Sequence, residues 1–95
     1  MTVSWTESAL ADLQAIEAHI ALRSPRYAHA LIERIVAHTA RLADFPRIGP
    51  IVREYGDESL REVFEDPFRI VYRIDEDSIS IVTIIHGARR LPRGL

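Results

Sequence analysis

Residues 67–85, PFRIVYRIDEDSISIVTII, predict a β-hairpin. β-Branched and aromatic residues dominate both halves, and the three acids at 75–77 separate them as a polar turn. The first half alternates: one face carries Phe68, Ile70, Tyr72 and Ile74, and the other carries Arg69, Val71 and Arg73. The hairpin therefore has one apolar face that other elements of the fold must cover.

The pairing register of this hairpin follows from the length of its turn. A turn that leaves an even number of residues unpaired sets Ile74 opposite Ile79, Tyr72 opposite Ile81 and Phe68 opposite Ile85. The same register sets Arg73 beside Ser80, Val71 beside Val82 and Arg69 beside Ile84. His86 would then lie diagonally from Arg69, within reach of its long side chain.

Two helices are predicted before the hairpin. Thr6 is a suitable N-cap, and Glu7 follows it in the first turn of a helix over residues 7–22. The buried stripe of this helix is expected to be Leu10, Leu13, Ile16 and Ile20, with Asp12, Gln14 and His19 turned away. Ser24-Pro25 starts a second helix that runs to about residue 43. The short connection requires the two helices to fold back on each other.

The second helix carries more apolar surface than one core stripe needs. Leu31, Ile35 and Leu42 form a stripe for the core, and Ile32, Val36 and Ala40 extend the apolar arc beyond it. Exposed apolar surface of this kind marks a site for a partner.

The remaining strand signals complete a single α+β domain over residues 1–95. Short strands are predicted near residues 2–5 and 60–65, and residues 51–59 form a loop or a short strand. The order is β-α-α-β-β-β, with the helical hairpin packed on one face of a mostly antiparallel sheet.

The composition limits the classes of function. All twelve basic side chains are arginine, and fourteen acids bring the net charge to −2, whereas strong nucleic-acid binders are usually basic. Direct nucleic-acid binding is therefore expected to be weak. The segment after residue 85 is the exception, because Arg89, Arg90 and Arg93 stand there without an acid.

No cofactor or metal is expected from the sequence. Cysteine is absent, the four histidines lack the spacing of a metal site, and neither a phosphate-binding loop nor a nucleophile elbow is present. The lack of cysteine suits a reducing cytoplasm, and the sequence shows no long apolar run that predicts a membrane segment.

Five motifs in order along the chain resemble the RelE/ParE superfamily of toxins from bacterial type II toxin-antitoxin systems. They are Trp5-Thr6, Ser24-Pro25, Phe45-Pro46-Arg47-Ile48-Gly49, the arginine-bearing strand from Phe68 to Arg73, and the closing His86-Gly87-Ala88-Arg89. The resemblance spans nearly the whole chain. It implies the same β-α-α-β-β-β fold and a cognate antitoxin protein as a partner.

The ribonuclease branch of this superfamily cleaves messenger RNA on the ribosome, a reaction that needs a base, an acid and cations around the phosphate. The resemblance to that branch makes Arg69 the phosphate-binding arginine, His86 the candidate acid or base, and Arg89 a second cation. Glu54 is comparable with a glutamate base of some members. The chain departs from the branch because it has no lysine and no tyrosine after the last strand.

The ParE branch lacks most of the nuclease residues and inhibits DNA gyrase through protein contacts, and the five motifs match this branch better. One departure is Pro50, which stands where the family usually has a basic residue. We therefore expect a ParE-like gyrase inhibitor, with the ribonuclease as the first alternative and an inactive binding module as the second. Arg89, Arg90 and Arg93 are the expected target contacts, and Ile32, Val36 and Ala40 the expected antitoxin contacts.

A purely structural role for the same residues is the remaining alternative. Arg69 and Arg73 would then only solvate a face of the sheet, and His86 would satisfy a carbonyl in a turn.

Overall fold

The predicted α+β fold is confirmed by the computed structural model of the protein, which describes residues 1–89 and residue 91. Its elements are β1 (Thr2–Trp5), α1 (Glu7–Ala21), α2 (Pro25–Ala40), a 3₁₀ turn (Arg41–Ala43), β2 (Leu60–Glu65), β3 (Phe68–Ile74) and β4 (Ser78–His86). Within the described residues, no helix is long and apolar enough to cross a membrane.

Both helices begin at the predicted caps. The Thr6 side chain accepts a hydrogen bond from the Ala9 backbone N–H, and the Ser24 side chain accepts one from that of Tyr27. Pro25 occupies the first turn of α2, where a missing N–H costs nothing. The α-helical part of α2 ends at Ala40, slightly earlier than predicted, because the chain tightens there into the 3₁₀ turn.

The sheet has the strand order β1-β4-β3-β2. The β2–β3 and β3–β4 pairs are antiparallel, and β1 lies parallel to β4 at the opposite edge from β2. Strand β1 is short, so its pairing with β4 ends where Trp5 lies beside Ile81. The last part of β4 therefore has a strand neighbour on one side only.

The predicted register holds for the first half of the β3–β4 hairpin and fails in the second. Ile74, Arg73 and Tyr72 pair with Ile79, Ser80 and Ile81 as expected. A bulge then leaves Val82 without a partner, so Val71 pairs with Thr83, Arg69 with Ile85 and Phe68 with His86. The predicted pairs Val71–Val82, Arg69–Ile84 and Phe68–Ile85 were wrong, because alternation alone gives no sign of an inserted residue.

The helices bury the face of the sheet that carries Ile70 and Tyr72. Buried residues of both layers form this core: Ala9, Leu31, Ile35, Leu42, Val63, Phe68, Ile70, Tyr72, Ile79, Ile81 and Ile84. One residue of the predicted helix stripe is misplaced, because Leu10 is 44% exposed and the neighbouring Ala9 is buried in its place. The small side chain of Ala9 allows α1 to approach the sheet closely at that point.

The opposite face of the sheet, here called the open face, has a second and smaller core. Val52, Leu60 and Val71 are buried there, and Tyr55, Val82 and Leu91 pack against them. The segment before β2 contributes one β-bridge, between Ile51 and Arg61, and otherwise forms turns.

Tyr72 anchors the predicted Pro46 to Gly49 turn to the helix-covered face. Its hydroxyl donates to the Pro46 carbonyl at 2.7 Å and accepts from the Gly49 N–H at 3.1 Å. Burial raises the pKa of this hydroxyl, which keeps it protonated as a donor. Glycine is required at position 49, because a Cβ there would collide with the Glu62 carbonyl.

Asp12 was expected to point away from the core, and this was wrong. Its carboxylate accepts hydrogen bonds from the Thr83 hydroxyl at 2.7 Å and from the Ile84 backbone N–H at 3.1 Å. These groups lie in the part of β4 beyond the end of β1. Asp12 therefore supplies the acceptor that a longer neighbouring strand would have supplied, and it ties α1 to the sheet.

We expect Asp12→Ala to destabilise the fold by about 1–3 kcal/mol, because it leaves the Ile84 N–H and the Thr83 hydroxyl without this acceptor in a part-buried position. Urea denaturation followed by circular dichroism measures the change. Glu17→Ala is the matched control, since Glu17 is an exposed acid on the same helix. Equal stability of the two variants would contradict the role of Asp12.

Candidate functional site

Arg69 lies on the open face with its guanidinium held by two glutamates. Its Nε and one terminal nitrogen donate to the two Glu62 oxygens at 2.7 and 3.1 Å. Its terminal nitrogens also donate to the two Glu54 oxygens at 2.9 and 3.1 Å. The side chains of Arg69 and Glu62 are 10% and 8% exposed, and that of Glu54 is 45% exposed.

These hydrogen bonds keep Arg69 protonated. The bonds to Glu62 and then to Glu54 raise the pKa of Arg69 further above its already high usual value. The bond from Arg69 lowers the pKa of Glu54. The arginine is therefore a charged and largely buried tie between the sheet and the loop that contains Glu54, and its donors face carboxylates.

The alternative in which Arg69 only solvates a sheet face was wrong, because its side chain is largely buried and bound by both glutamates. The sequence contains a signal for the pairing: the short connection between β2 and β3 places Glu62 and Arg69 diagonally across neighbouring strands on one face. Glu54 has no such signal, because its position depends on the fold of the preceding loop. Arg73, on the same face, hydrogen-bonds the Ser59 hydroxyl at 3.3 Å.

His86 lies on the other side of the sheet from Arg69. Because of the bulge it pairs with Phe68, and the two rings meet edge to face with centroids 5.9 Å apart. The predicted approach of His86 to Arg69, and the grouping of both with Arg89 on one face, were therefore wrong. The structure brings together His86 and Arg89 and separates them from Arg69.

The His86 ring is also held by the turn that follows it. Its Nδ1 accepts a hydrogen bond from the Ala88 backbone N–H at 3.2 Å, and its own carbonyl accepts from the Arg89 N–H at 2.9 Å. The ring thus meets an amide N–H, not the turn carbonyl that a structural role had suggested. An imidazole with Nδ1 as acceptor carries its proton on Nε2, which leaves Nε2–H as a donor.

A cleft between α1 and the end of β4, here called the His86 cleft, contains both His86 and Arg89. Its lining includes Asp12, Ile16, His19, Ile20, Phe68, Ile84, His86 and Arg89. Within the described part of the chain, no group of three His, Cys, Asp or Glu residues could hold a metal ion.

The other predicted contacts lie on α2 and in the tail. Val36 is 46% exposed, Ala40 is exposed and Ile32 is partly buried, so an apolar arc is open to solvent on α2. Arg89 is exposed, whereas Arg90 and Arg93 lie outside the described residues. Leu91 packs on the small core of the open face and so contributes to the fold.

Comparison with known proteins identifies the family. Residues 3–91 match the sequence profile of the family described as the ParE toxin of the type II toxin-antitoxin system, parDE. The chain belongs to this family of toxins. It is 36% identical over 88 residues to a curated protein named Toxin RelE2 from Caulobacter vibrioides. The aligned residues cover 92% of this chain and 96% of that protein.

Solved structures show the same fold for this toxin. A structure of the chromosomal ParDE toxin-antitoxin system from P. aeruginosa matches with a TM-score of 0.75 and 28% identity, over 90% of this chain and 95% of the other. The toxin-antitoxin complex RelBE2 from Mycobacterium tuberculosis matches with a TM-score of 0.60 and 24% identity, over 93% and 92% of the two chains. The names of these relatives divide between ParE and RelE, so the comparisons do not decide the cellular target of this toxin.

Removal of the Arg69 guanidinium is expected to destabilise this toxin. Arg69→Ala would leave the Glu62 carboxylate buried without its partner, and we expect it to lower the free energy of unfolding by roughly 3 kcal/mol. This is the lower end of the range for a broken buried ion pair, because the half-exposed Glu54 can turn to water. Thermal and urea denaturation measure the loss.

The double variant Arg69→Met with Glu62→Leu separates charge from packing. It removes both buried charges and should recover most of the stability lost in Arg69→Ala. Arg53→Ala is the control for the loss of an exposed arginine in the same region. If Arg69→Ala is no less stable than Arg53→Ala, the guanidinium is not a structural tie.

Proposed function

We propose that this toxin inhibits DNA gyrase by protein contact and is neutralised by a cognate antitoxin that covers the apolar arc of α2. The observation that carries the proposal is the placement of Arg69. Two carboxylates take its donors on the open face, and His86 lies on the other face of the sheet. The arginine and histidine that ribosome-dependent cleavage would use together are therefore apart.

Electrostatics supports the same conclusion. A phosphate that approached Arg69 would meet the negative charges of Glu54 and Glu62 at the same guanidinium. The chain carries no lysine, and its net charge of −2 gives little attraction to ribosomal RNA. Binding to a protein target needs neither a phosphate site nor a general base.

The target contacts are proposed to include the basic tail with Arg89, Arg90 and Arg93. Arg89 makes no ion pair with a carboxylate among the described residues, so its charge is available to a partner. Leu91 lies between these arginines in the sequence and packs on the open face. Shortening the chain after Ala88 would therefore also expose core residues, and substitution of the arginines is the cleaner test.

Expression of the toxin without its antitoxin is expected to produce gyrase-dependent DNA breaks and no site-specific cleavage of messenger RNA on translating ribosomes. The triple variant Arg89→Gln, Arg90→Gln, Arg93→Gln should remain folded, since Leu91 is kept, and should lose the breaks. Mapping of DNA breaks measures the first activity, and mapping of cleavage sites in ribosome-bound messenger RNA measures the second. Each is repeated, as a control, in a strain that is resistant to gyrase inhibitors.

Cleavage of ribosome-bound message would favour the ribonuclease alternative. The informative variant is then His86→Ala, because Arg69→Ala is expected to destabilise the fold, and a loss of its activity would not identify a catalytic role. A folded chain with neither activity would instead indicate a binding module.

A charge placed in the apolar arc of α2 is expected to weaken antitoxin binding. Burial of a valine side chain stabilises by roughly 1.5–3 kcal/mol, so Val36→Glu, which also adds a charge to be desolvated, should weaken antitoxin binding at least tenfold. Calorimetry on the purified pair measures the affinity. Circular dichroism should show an intact monomer, because Val36 is half exposed.

Ala18→Glu is the control for this experiment, since Ala18 is an exposed residue on the other helix. It adds the same charge away from the arc and should leave the affinity unchanged. If both variants bind the antitoxin as tightly as the parent chain, the antitoxin covers another surface.

A further inference from the structure

The His86 cleft has the features of a recognition pocket for a peptide. We propose that it binds a segment of a partner protein in which a large apolar side chain stands next to a carboxylate. This proposal goes beyond the proposed function, because it depends neither on gyrase as the target nor on the apolar arc of α2.

The walls of the cleft suit an apolar side chain. Ile16 and Ile20 line it from α1, and Phe68 and Ile84 line it from the sheet. Ile16 and Ile20 are only partly buried, although they pack against the core, so each still exposes apolar surface to the cleft. A large apolar side chain of a partner would bury that surface and gain contact with Phe68 beneath it.

The rim of the cleft supplies donors for a carboxylate. His86 is held at two points, by its edge-to-face contact with Phe68 and by the Ala88 N–H on Nδ1, so its Nε2–H is a donor on a fixed ring. A donor that is already oriented loses little entropy when it binds. Arg89 adds a fork of N–H donors that matches the two oxygens of a carboxylate.

Asp12 is the acid that lines the cleft, and its position limits its effect on an incoming anion. One of its oxygens accepts from both the Thr83 hydroxyl and the Ile84 N–H at the base of the cleft. These hydrogen bonds direct part of its charge toward the sheet. His19, two turns further along α1, also lines the cleft and adds a second imidazole to its polar groups.

The same features argue against a nucleic-acid phosphate as the occupant. A phosphate-binding site needs several cations around a polar surface, whereas this cleft has one arginine and a surface that is more apolar than polar. Arg69, the cation that would reinforce it, lies on the other face of the sheet. An apolar anchor next to a carboxylate uses both the walls and the rim.

The test is a titration of the full-length toxin, labelled with ¹⁵N, with short blocked peptides. The probes are acetyl-Gly-Phe-Asp-Gly-amide and its counterparts with Asn or Lys in place of Asp, together with inorganic phosphate. Amide chemical-shift changes report both the affinity and the location of binding. The Asp peptide should bind at least fivefold more tightly than the Asn peptide and shift the amides of Ile16, Ile84 and Arg89.

Variants of the rim assign the preference to its two donors. Arg89→Gln and His86→Phe should each remove most of the advantage of Asp over Asn, and His86→Phe keeps an aromatic ring against Phe68. Arg53→Gln is the control for the loss of one exposed arginine and should retain the full preference. Neither the antitoxin nor gyrase is present, so this result is independent of the outcome for the proposed function.

Three outcomes would overturn the proposal. The first is an absence of shifts at the cleft with the Asp peptide. The second is equal or tighter binding of the Asn or Lys peptide, which would mean that the rim does not select a carboxylate. The third is binding of inorganic phosphate at the cleft as tight as that of the Asp peptide, which would identify a phosphate site.

Discussion

The bulge at Val82 is the constraint on which the arrangement of the functional side chains depends. It adds one residue to β4 within the pairing with β3, so every residue of β4 after it changes face relative to a regular hairpin. His86 consequently joins Phe68 on the helix-covered side, and Arg69 remains on the open face. A hairpin without the bulge would have placed the imidazole beside the guanidinium on the open face.

As a result, the polar side chains on the two faces of the sheet have different roles: those on the open face stabilise the fold, and those on the helix-covered side are accessible to a partner. On the open face, Arg69 is satisfied by Glu62 and Glu54, and the group holds a loop over the small core of Val52, Leu60 and Val71. Buried charges need such partners, since an unpaired one is far more costly than an apolar residue in its place. On the helix-covered side, His86 and Arg89 near the end of β4 are exposed, so their side chains are accessible to a binding partner.

The short first strand explains why that end of the sheet is accessible. Pairing of β1 with β4 stops at Ile81, and α1 then takes over the edge through Thr6 and Asp12. A helix cannot cover a strand edge as closely as another strand does, so a cleft remains between α1 and residues 83–86 of β4. The same loss of pairing that creates the cleft makes Asp12 necessary, because the Ile84 N–H would otherwise lack an acceptor.

The sequence by itself determined the elements and the class of fold. Thr6 and Ser24-Pro25 act locally on the first turn of each helix, and the alternation from Phe68 to Ile74 depends only on the period of a strand, so these features were readable without the tertiary structure. The exposed apolar arc around Val36 was readable for the same reason, as helical spacing fixes which residues share a side. The tertiary structure alone decided the contact of Arg69 with Glu54, the role of Asp12 and the face of His86. The first two depend on contacts between segments far apart in the chain, and the face of His86 depends on one inserted residue in β4. Neither kind of feature leaves a periodic signal in the sequence.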